Sequence, residues 1–463
     1  MFTRSRLLLL AILVLSTTGC AGYVPKPIAE REVLRQLQAV RLEALRPAST
    51  AETPRSEFDP TDGLSTDEAV AVALFLNPDL RAFRKERGVA EGELIAAGLL
   101  PNPQFQVTWF FVQGITRGLG TAGWDVGLNW APPRPGEGGA KVARAQARIE
   151  EVRAQVAGEE RRLATEVRKA YATLGAAEQR IRLIDASMAL QERLRKLVQD
   201  KLAAGDATRL DANVVELDYA DRRREEAALL NDRERARLDL NRLLGLPPVV
   251  LLVLQDRADL PHSPLLALDP SALETSMVEQ RDDLKAAKQE YEQAEQQLRL
   301  AYIQRMPWFT FGPAFQRNQE EGGPLNSFGI GFTLDLPLAN LNQGEIARLE
   351  GARDKLREAF VARVHGARAE VYEALRNLRG QERLVQVYEE VARPALDESA
   401  RLADASLELG DVNALQFVTA QDKALKGRRD GIEAQLEYAK ALFDLERAVG
   451  ARVTGMGGKG GSQ

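Results

Sequence analysis

The sequence predicts a mainly α protein with a small transmembrane β component, built as two tandem copies of one unit. Three observations predict it. The chain of 463 residues repeats itself at a shift of 204, the hydrophobic period in each copy changes from helical to alternating and back, and all four tryptophans fall in the alternating segments. A fixed register held over about 200 residues is too long for a solenoid repeat and marks a duplicated structural unit.

The register runs from Asp79 and Leu80 on Asp283 and Leu284, through Pro103 on Pro307, Gly127 on Gly331 and Pro133 on Pro337, to Glu166 and Val167 on Glu370 and Val371. After one inserted residue the shift becomes 205, which pairs Gly205 with Gly410, Asp206 with Asp411, Leu210 with Leu415 and Gly245 with Gly450. These correspondences divide the mature chain into repeats at 66–245 and 270–450, with a linker at 246–269 and a Gly-rich tail at 451–463 that is expected to be disordered.

Each repeat opens with an Ala-rich helical stretch, in which Asp67 and Glu68 suit a first turn. Alternation then takes over in a hairpin at 102–132, where Phe105, Val107, Trp109 and Phe111 share one face and Trp124, Val126, Leu128 and Trp130 continue it. The second hairpin, at 308–337, places Phe309, Phe311, Pro313 and Phe315, then Phe328, Ile330, Phe332 and Leu334, on the equivalent face. The opposite face is small or polar, with Asn129 and Thr333 as examples. An apolar outer face with aromatic ends is the pattern of strands in lipid. Four strands cannot close a barrel, because the smallest use about eight and an open edge in hydrocarbon leaves backbone groups without partners. A cyclic trimer closes the count, since three copies of four strands make about 12.

After each hairpin the helical period returns. Leu163, Val167, Ala170, Leu174, Ala177, Ile181, Ile184 and Met188 step alternately by four and three, the 3.5-residue repeat of a packed helical seam, and Ala367, Val371, Ala374 and Leu378 begin the copy. These seams define long helical hairpins at 138–245 and 343–450, turning at Gly205–Asp206 and Gly410–Asp411. Pro394, deep in the second, removes a backbone donor and is expected to bend it.

Composition closes off other classes. A net charge of −5, with 62 Lys and Arg interspersed among 67 Asp and Glu, offers no basic surface for nucleic acid. The single cysteine, Cys20, forbids an internal disulfide or a cysteine metal cluster. It follows Arg4, Arg6, the apolar run Leu7 to Leu15 and small residues, so residues 1–19 read as an export signal and 20–65 as a lipid-anchored segment that contains an amphipathic helix at 28–45. The tract resembles a bacterial lipobox, with Thr17 where Leu is usual. That resemblance implies acylation of Cys20, palmitate included, and Ala21 after it implies sorting to the outer membrane.

Catalysis finds little support. His262 and His365 stand in unrelated contexts without metal-ligand spacing, so no metal or cofactor is expected and the protein is not read as an enzyme. Gly118, Gly120 and Gly123 have dinucleotide-fingerprint spacing but lead into the strand at Trp124, where the fingerprint requires a helix. Asp282–Asp283 and Glu320–Glu321 are carboxylate pairs of a kind common on solvated surfaces.

The residues from about Leu64 to Gly450 resemble the TolC-like outer membrane factors. The stretch Ala71 to Leu80 with Asn77 and Pro78, the Pro101 and Pro103 entry to the first strand, the Pro133 exit from the second, and Pro394, Ala395, Leu409, Gly410, Leu415, Ala420 and Gln421 carry the match. The resemblance implies a homotrimer whose barrel of about 12 strands stands in the outer membrane on an equally numbered tunnel of helices reaching through the periplasm. It implies an exit duct of a tripartite efflux or type I secretion system, working with a periplasmic adapter protein and an inner membrane transporter. Gly205, Asp206, Leu210, Gly410, Asp411 and Leu415 then fall at the tips that meet the adapter. Relatives often hold Asp rings one and two turns beyond the inner tip; the matching positions here are Gln416 and Thr419, an uncharged constriction. Small molecules, metal ions and polypeptides all fit such a duct as cargo. The competing class is a lipid-anchored periplasmic adapter or scaffold, which would pair one helical hairpin with soluble β domains in place of duplicated amphipathic strands.

Overall fold

The computed structural model describes residues 23–40, 63–112, 121–255, 268–320, 323–409 and 413–453. Cys20, Gly118, Gly120, His262, Glu321, Gly410 and Asp411, each weighed from the sequence, lie outside these residues.

The N-terminal helix α1 (Glu30–Gln38) has no buried residue, though Val40 just after it packs on the core. The stretch before the first hairpin is three helices, α2 (Thr66–Leu76), α3 (Pro78–Arg84) and α4 (Glu86–Gly98). Ser65 opens α2 with a capping box to Glu68. Pro78 stops it, because the residue before a proline is driven out of the helical region: Asn77 has ψ 121° and instead caps α3, its side chain accepting from the Leu80 N–H at 3.0 Å.

Strands β1 (Gln104–Val112), β2 (Thr121–Asn129), β3 (Trp308–Glu320) and β4 (Gly323–Asp335) form one antiparallel sheet in the order β1-β2-β3-β4. The two hairpins are joined by pairing of Gly123–Gly127 with Asn318–Ala314. That ladder stops at Pro313, which has no N–H to give, and resumes as a bridge between Trp130 and Phe311 with mutual N–H to carbonyl bonds of 2.9 and 3.1 Å. Beside the interruption a Cβ on Gly312 would fall 1.5 Å from the Leu128 carbonyl oxygen, so only glycine permits this approach of β2 and β3.

Below the sheet, α5 (Glu137–Ala204) runs unbroken for 68 residues, about 100 Å at 1.5 Å per residue. It returns as α6 (Arg209–Leu244). The second repeat has α7 (Pro270–Gln280), α8 (Asp282–Ile303) and α9 (Gln343–Val387); a single π-helical turn at Tyr388–Ala392 follows, then α10 (Arg393–Leu409) and α11 (Ala414–Val449). Immediately before Pro394, where a bend was expected, the helix passes through this π turn.

Packing follows the seams. Near the sheet α4 meets α5 through Ala90, Val152 and Val156, and α8 meets α9 through Leu298, Ala301, Ile346 and Leu349. Midway along, the first repeat gathers Val72, Leu163, Val167, Leu174, Leu240 and Leu244 with Leu252, and the second gathers Leu273, Met277, Val371, Leu378, Leu442 and Leu445. Small residues bring the two hairpins together, Ala172 and Ala176 of α5 against Ala439 of α11. Ion pairs flank that contact at Lys169–Asp444 (2.5 Å) and Arg168–Glu446 (3.1 Å).

Candidate functional site

Two regions carry the expected functional residues: the exposed face of the sheet and the ends of the helical hairpins.

On the sheet, the register sets Phe105 opposite Leu128, Val107 opposite Val126, and Trp109 opposite Trp124. Val126 then meets Phe315, while Phe309, Phe311 and Pro313 oppose Leu334, Phe332 and Ile330. Directly opposed residues share a face, so all of the apolar set, Trp130 included through its bridge to Phe311, lies on one side across four strands. It is an unusually exposed side: Phe105 is 68%, Trp109 69%, Ile330 81% and Phe332 62% accessible. Aromatic rings tie the strands, Trp124 to Phe315 at 5.2 Å and Trp130 edge-on to Phe311 at 5.8 Å. Trp124, Val126, Trp130, Phe309 and Phe315 are half-buried among their neighbours, while the rest of the set stays open, and an exposed apolar surface of this continuity marks a site that meets lipid or a partner.

At the base of the sheet, indole N–H groups fasten strands to loops. Trp130 donates to the Pro101 carbonyl at 2.9 Å and Trp308 to the Pro132 carbonyl at 2.6 Å. Arg134 lies over the Trp308 ring at 5.5 Å.

At the far end, Gly205 closes α5 in the left-handed region, φ +87°, and the Asp206 N–H reaches back to the Lys201 carbonyl at 2.8 Å, completing a Schellman turn. Thr208 and Asp211 then form a capping box that opens α6, a signal readable as T-x-x-D but not singled out from the sequence. The Thr208 hydroxyl and N–H hold the exposed Asp211 carboxyl below its ordinary range. Leu210 and Leu415 stand 72% and 60% exposed in the first turns of α6 and α11. Gln416 and Thr419 are also exposed; the Gln416 N–H donates to Asn413 Oδ1 at 3.0 Å, and the Thr419 hydroxyl to the Leu415 carbonyl at 2.8 Å. The two hairpin ends are packed together through Leu194, Val198, Val215, Ala403, Phe417 and Val418.

Above these tips lies a charge cluster, buried at Arg222 and Asp218 and partly exposed elsewhere, that has no signature along the chain because its members come from separate helices. Arg222 of α6, 4% exposed, pairs with Asp218 of its own helix at 3.3 Å and with Asp422 of α11. Arg429 of α11 pairs with Glu225 of α6, and Arg180 of α5 with Glu433 of α11. Burial pushes the Asp218 carboxyl above its ordinary range, and its Oδ2 has no hydrogen-bond partner.

Among the described residues no three or more His, Cys, Asp or Glu are grouped to hold a metal ion, and no helix is long and apolar enough to cross a membrane.

Comparison with known proteins agrees with this geometry. The profile of the outer membrane efflux protein family matches residues 70–246 and 275–451, one match to each repeat. A cobalt-zinc-cadmium resistance protein, CzcC of Cupriavidus metallidurans, is 22% identical over 398 residues, covering 86% of this chain and 92% of that one. Among solved structures, a membrane protein from Pseudomonas aeruginosa superposes with TM-score 0.67 at 21% identity, over 87% of this chain and 100% of the other. The MtrE outer membrane channel of Neisseria gonorrhoeae superposes with TM-score 0.66 at 20% identity, over 84% and 89%. The fold is therefore TolC-like, a long α-helical body carrying a β-sheet, and the two family matches coincide with the duplicated units. With both repeats matched over most of their length, the chain belongs to the outer membrane efflux protein family.

Proposed function

We propose that three copies of this chain assemble into the exit duct of a tripartite export system, passive and gated at the periplasmic helix tips. The observation that carries the proposal is the sheet: four strands whose outer edges, on β1 and β4, pair with no other described strand, and one continuous apolar face that is largely exposed. Lipid covers such a face, and only closure through neighbouring copies satisfies such edges. Phe105, Val107, Trp109, Val126, Leu128, Trp130, Phe309, Phe311, Ile330 and Phe332 are then the lipid-facing set. Leu210 and Leu415, with Gly205 and Asp206 and the turn that the sequence assigns to Gly410 and Asp411, receive an adapter's hairpins in this reading, and the exposed leucines offer an apolar contact to a packed helix. An acylated Cys20 tethers the chain without closing the barrel.

Divalent metal ions are the cargo to try first, by analogy with the cobalt-zinc-cadmium resistance protein that matches most of the chain. Mass measurement in mild detergent tests the assembly: a trimer is expected, and a monomer would sink the shared barrel. Cys20→Ala is expected to abolish acyl labelling while leaving the trimer in the outer membrane.

A further inference from the structure

Only one of the two long hairpins is interrupted. In the first repeat α5 is continuous and buries Ile184, Gln191, Leu194 and Val198 in its lower part. At the shift of 204, Ile184 corresponds to Tyr388, where α9 gives way to the π turn, and Leu190 corresponds to Pro394. The changes are matched on the returning helix: at the shift of 205, Arg222 and Glu226 of α6 correspond to Gly427 and Gly431 of α11.

These substitutions meet in space. A Cβ on Gly431 would fall 2.1 Å from Tyr388 Cζ and 2.3 Å from Cε2, so the ring occupies the place of the missing side chain. One turn along, a Cβ on Gly427 would fall 2.9 Å from Leu396 Cδ2. Above this pair of notches, Val371, Leu375 and Leu378 fix α9 in a buried core. Below it, α10 buries only Ala403 along 17 residues. The backbone between is already unwound by one bond pattern, the Arg393 N–H reaching the Tyr388 carbonyl, and Pro394 can offer no N–H of its own. A firmly held upper segment, a locally altered backbone and a loosely held lower segment are the parts of a hinge.

We propose that Tyr388, seated in the notch of Gly431, is the pivot on which the lower part of the inner hairpin swings when the tunnel opens. This rests on the reading of the protein as a duct gated at its tips and says where the gate's moving part begins. The ring pins the axial position of α10 on α11, and the π turn absorbs the change of direction.

Planar-bilayer recording of the purified protein tests it. Gly431→Ala expels the ring and Tyr388→Ala removes it, and each is expected to raise the open fraction several-fold. The double variant is expected to return toward the parent, because the new methyl fills space the ring has left. Tyr388→Phe, which keeps the ring, is expected to behave as the parent. Spin labels in a Cys20→Ala background give a readout independent of conduction: with Tyr388→Ala added, distances between copies should lengthen for a label at Glu408, below the pivot, and stay constant at Arg383, above it. Conducting channels in which both single variants behave as the parent, or labels that move equally at both sites, overturn the pivot alone. A preparation that never conducts counts against the duct.

Discussion

Asn77 and Arg281 stand 204 residues apart and cap equivalent helix ends in the two repeats. The Asn77 side-chain amide donates to the Leu243 carbonyl of α6 at 2.9 Å, and Arg281 donates to the Ala448 carbonyl of α11 at 3.2 Å. Duplication has kept the contact and changed the residue. Each helix then ends on a left-handed glycine, Gly245 at φ +74° and Gly450 at φ +81°, pressed on the chain beside its capping partner: a Cβ would fall 2.8 Å from the Leu76 carbonyl oxygen in one case and 3.0 Å from the Arg281 nitrogen in the other.

This junction predicts the cost of two substitutions. Asn77 is 5% exposed and serves two helices, so Asn77→Ala leaves a buried carbonyl and an N–H unpaired, and should cost about 1–3 kcal/mol. Gly245→Ala meets both an unfavourable φ and a backbone oxygen, and should cost at least about 1–2 kcal/mol. Thermal unfolding of the detergent-extracted protein measures both. A Gly245→Ala variant as stable as the parent would show that the α2–α3 corner can move away.

The fold class was legible because period and repetition are one-dimensional signals: alternation at Phe105 to Trp109 and the four-three steps from Leu163 need no knowledge of partners. Helix breaks were legible only in part. Pro394 announced a bend, but neither the π turn before it nor the seat of Tyr388 against Gly431, 43 positions away, can be read along the chain. The Arg222 cluster was invisible for the same reason. In sequence Arg222 sits among Arg223, Arg224, Glu225 and Glu226, which read as a solvated face, and only the approach of α11 buries it.

That cluster should respond unequally to its members. Arg222→Ala leaves the buried Asp218 without its cation and should cost about 3–5 kcal/mol. Asp422→Asn should cost no more than about 1 kcal/mol, since the Asp422 side chain is 58% exposed. Equal losses in chemical denaturation would mean that Asp422 holds the arginine more firmly than Asp218 does.

Acidification should pull the same region two ways. Asp211 is held below its ordinary range by Thr208, so its contribution is present above the unfolded pKa of about 3.8 and is lost as pH falls through the lower folded value. Asp218 is held above its ordinary range by burial. Its charged form penalises folding at neutral pH, and that penalty is relieved as pH falls through the raised folded value toward the unfolded one. Asp218→Asn should therefore flatten the part of the stability curve above the unfolded pKa, and Asp211→Asn the part below it. Exchange of those two effects would reverse the assignment.

The sheet makes a prediction of sidedness. Arginine at Val107 or Ile330 should block insertion, at a cost of about 2–4 kcal/mol for a charge facing lipid at mid-membrane, whereas arginine at Asn129 or Thr333 should be accepted. Gly312→Ala should fail for a different reason, since its Cβ would strike the Leu128 carbonyl where the two hairpins join. Membrane fractionation and trimer yield report all of these. Equal effects at Val107 and Asn129 would mean that the faces are exchanged.

The last prediction concerns ions at the constriction proposed at Gln416 and Thr419. Threefold symmetry turns one acidic residue at a closed tip into a ring of three carboxylates, and rings of that kind bind multivalent cations. Gln416 and Thr419 are both exposed on the first turns of α11, and both are uncharged; the nearest described carboxylate farther along the helix, Asp422, is engaged with Arg222. A constriction lined by these two residues attracts cations only through amide and hydroxyl dipoles, which are weak beside a full charge and are shared with the Leu415 carbonyl in the case of Thr419. Planar-bilayer currents should therefore show only slight block by multivalent cations added from the periplasmic side. Gln416→Asp restores a ring without disturbing the helix start, since the bond to Asn413 is made by the Gln416 backbone N–H, and it should deepen the block. Strong block in the unsubstituted protein, unchanged by Gln416→Asp, would move the narrowest point away from the first turns of α11.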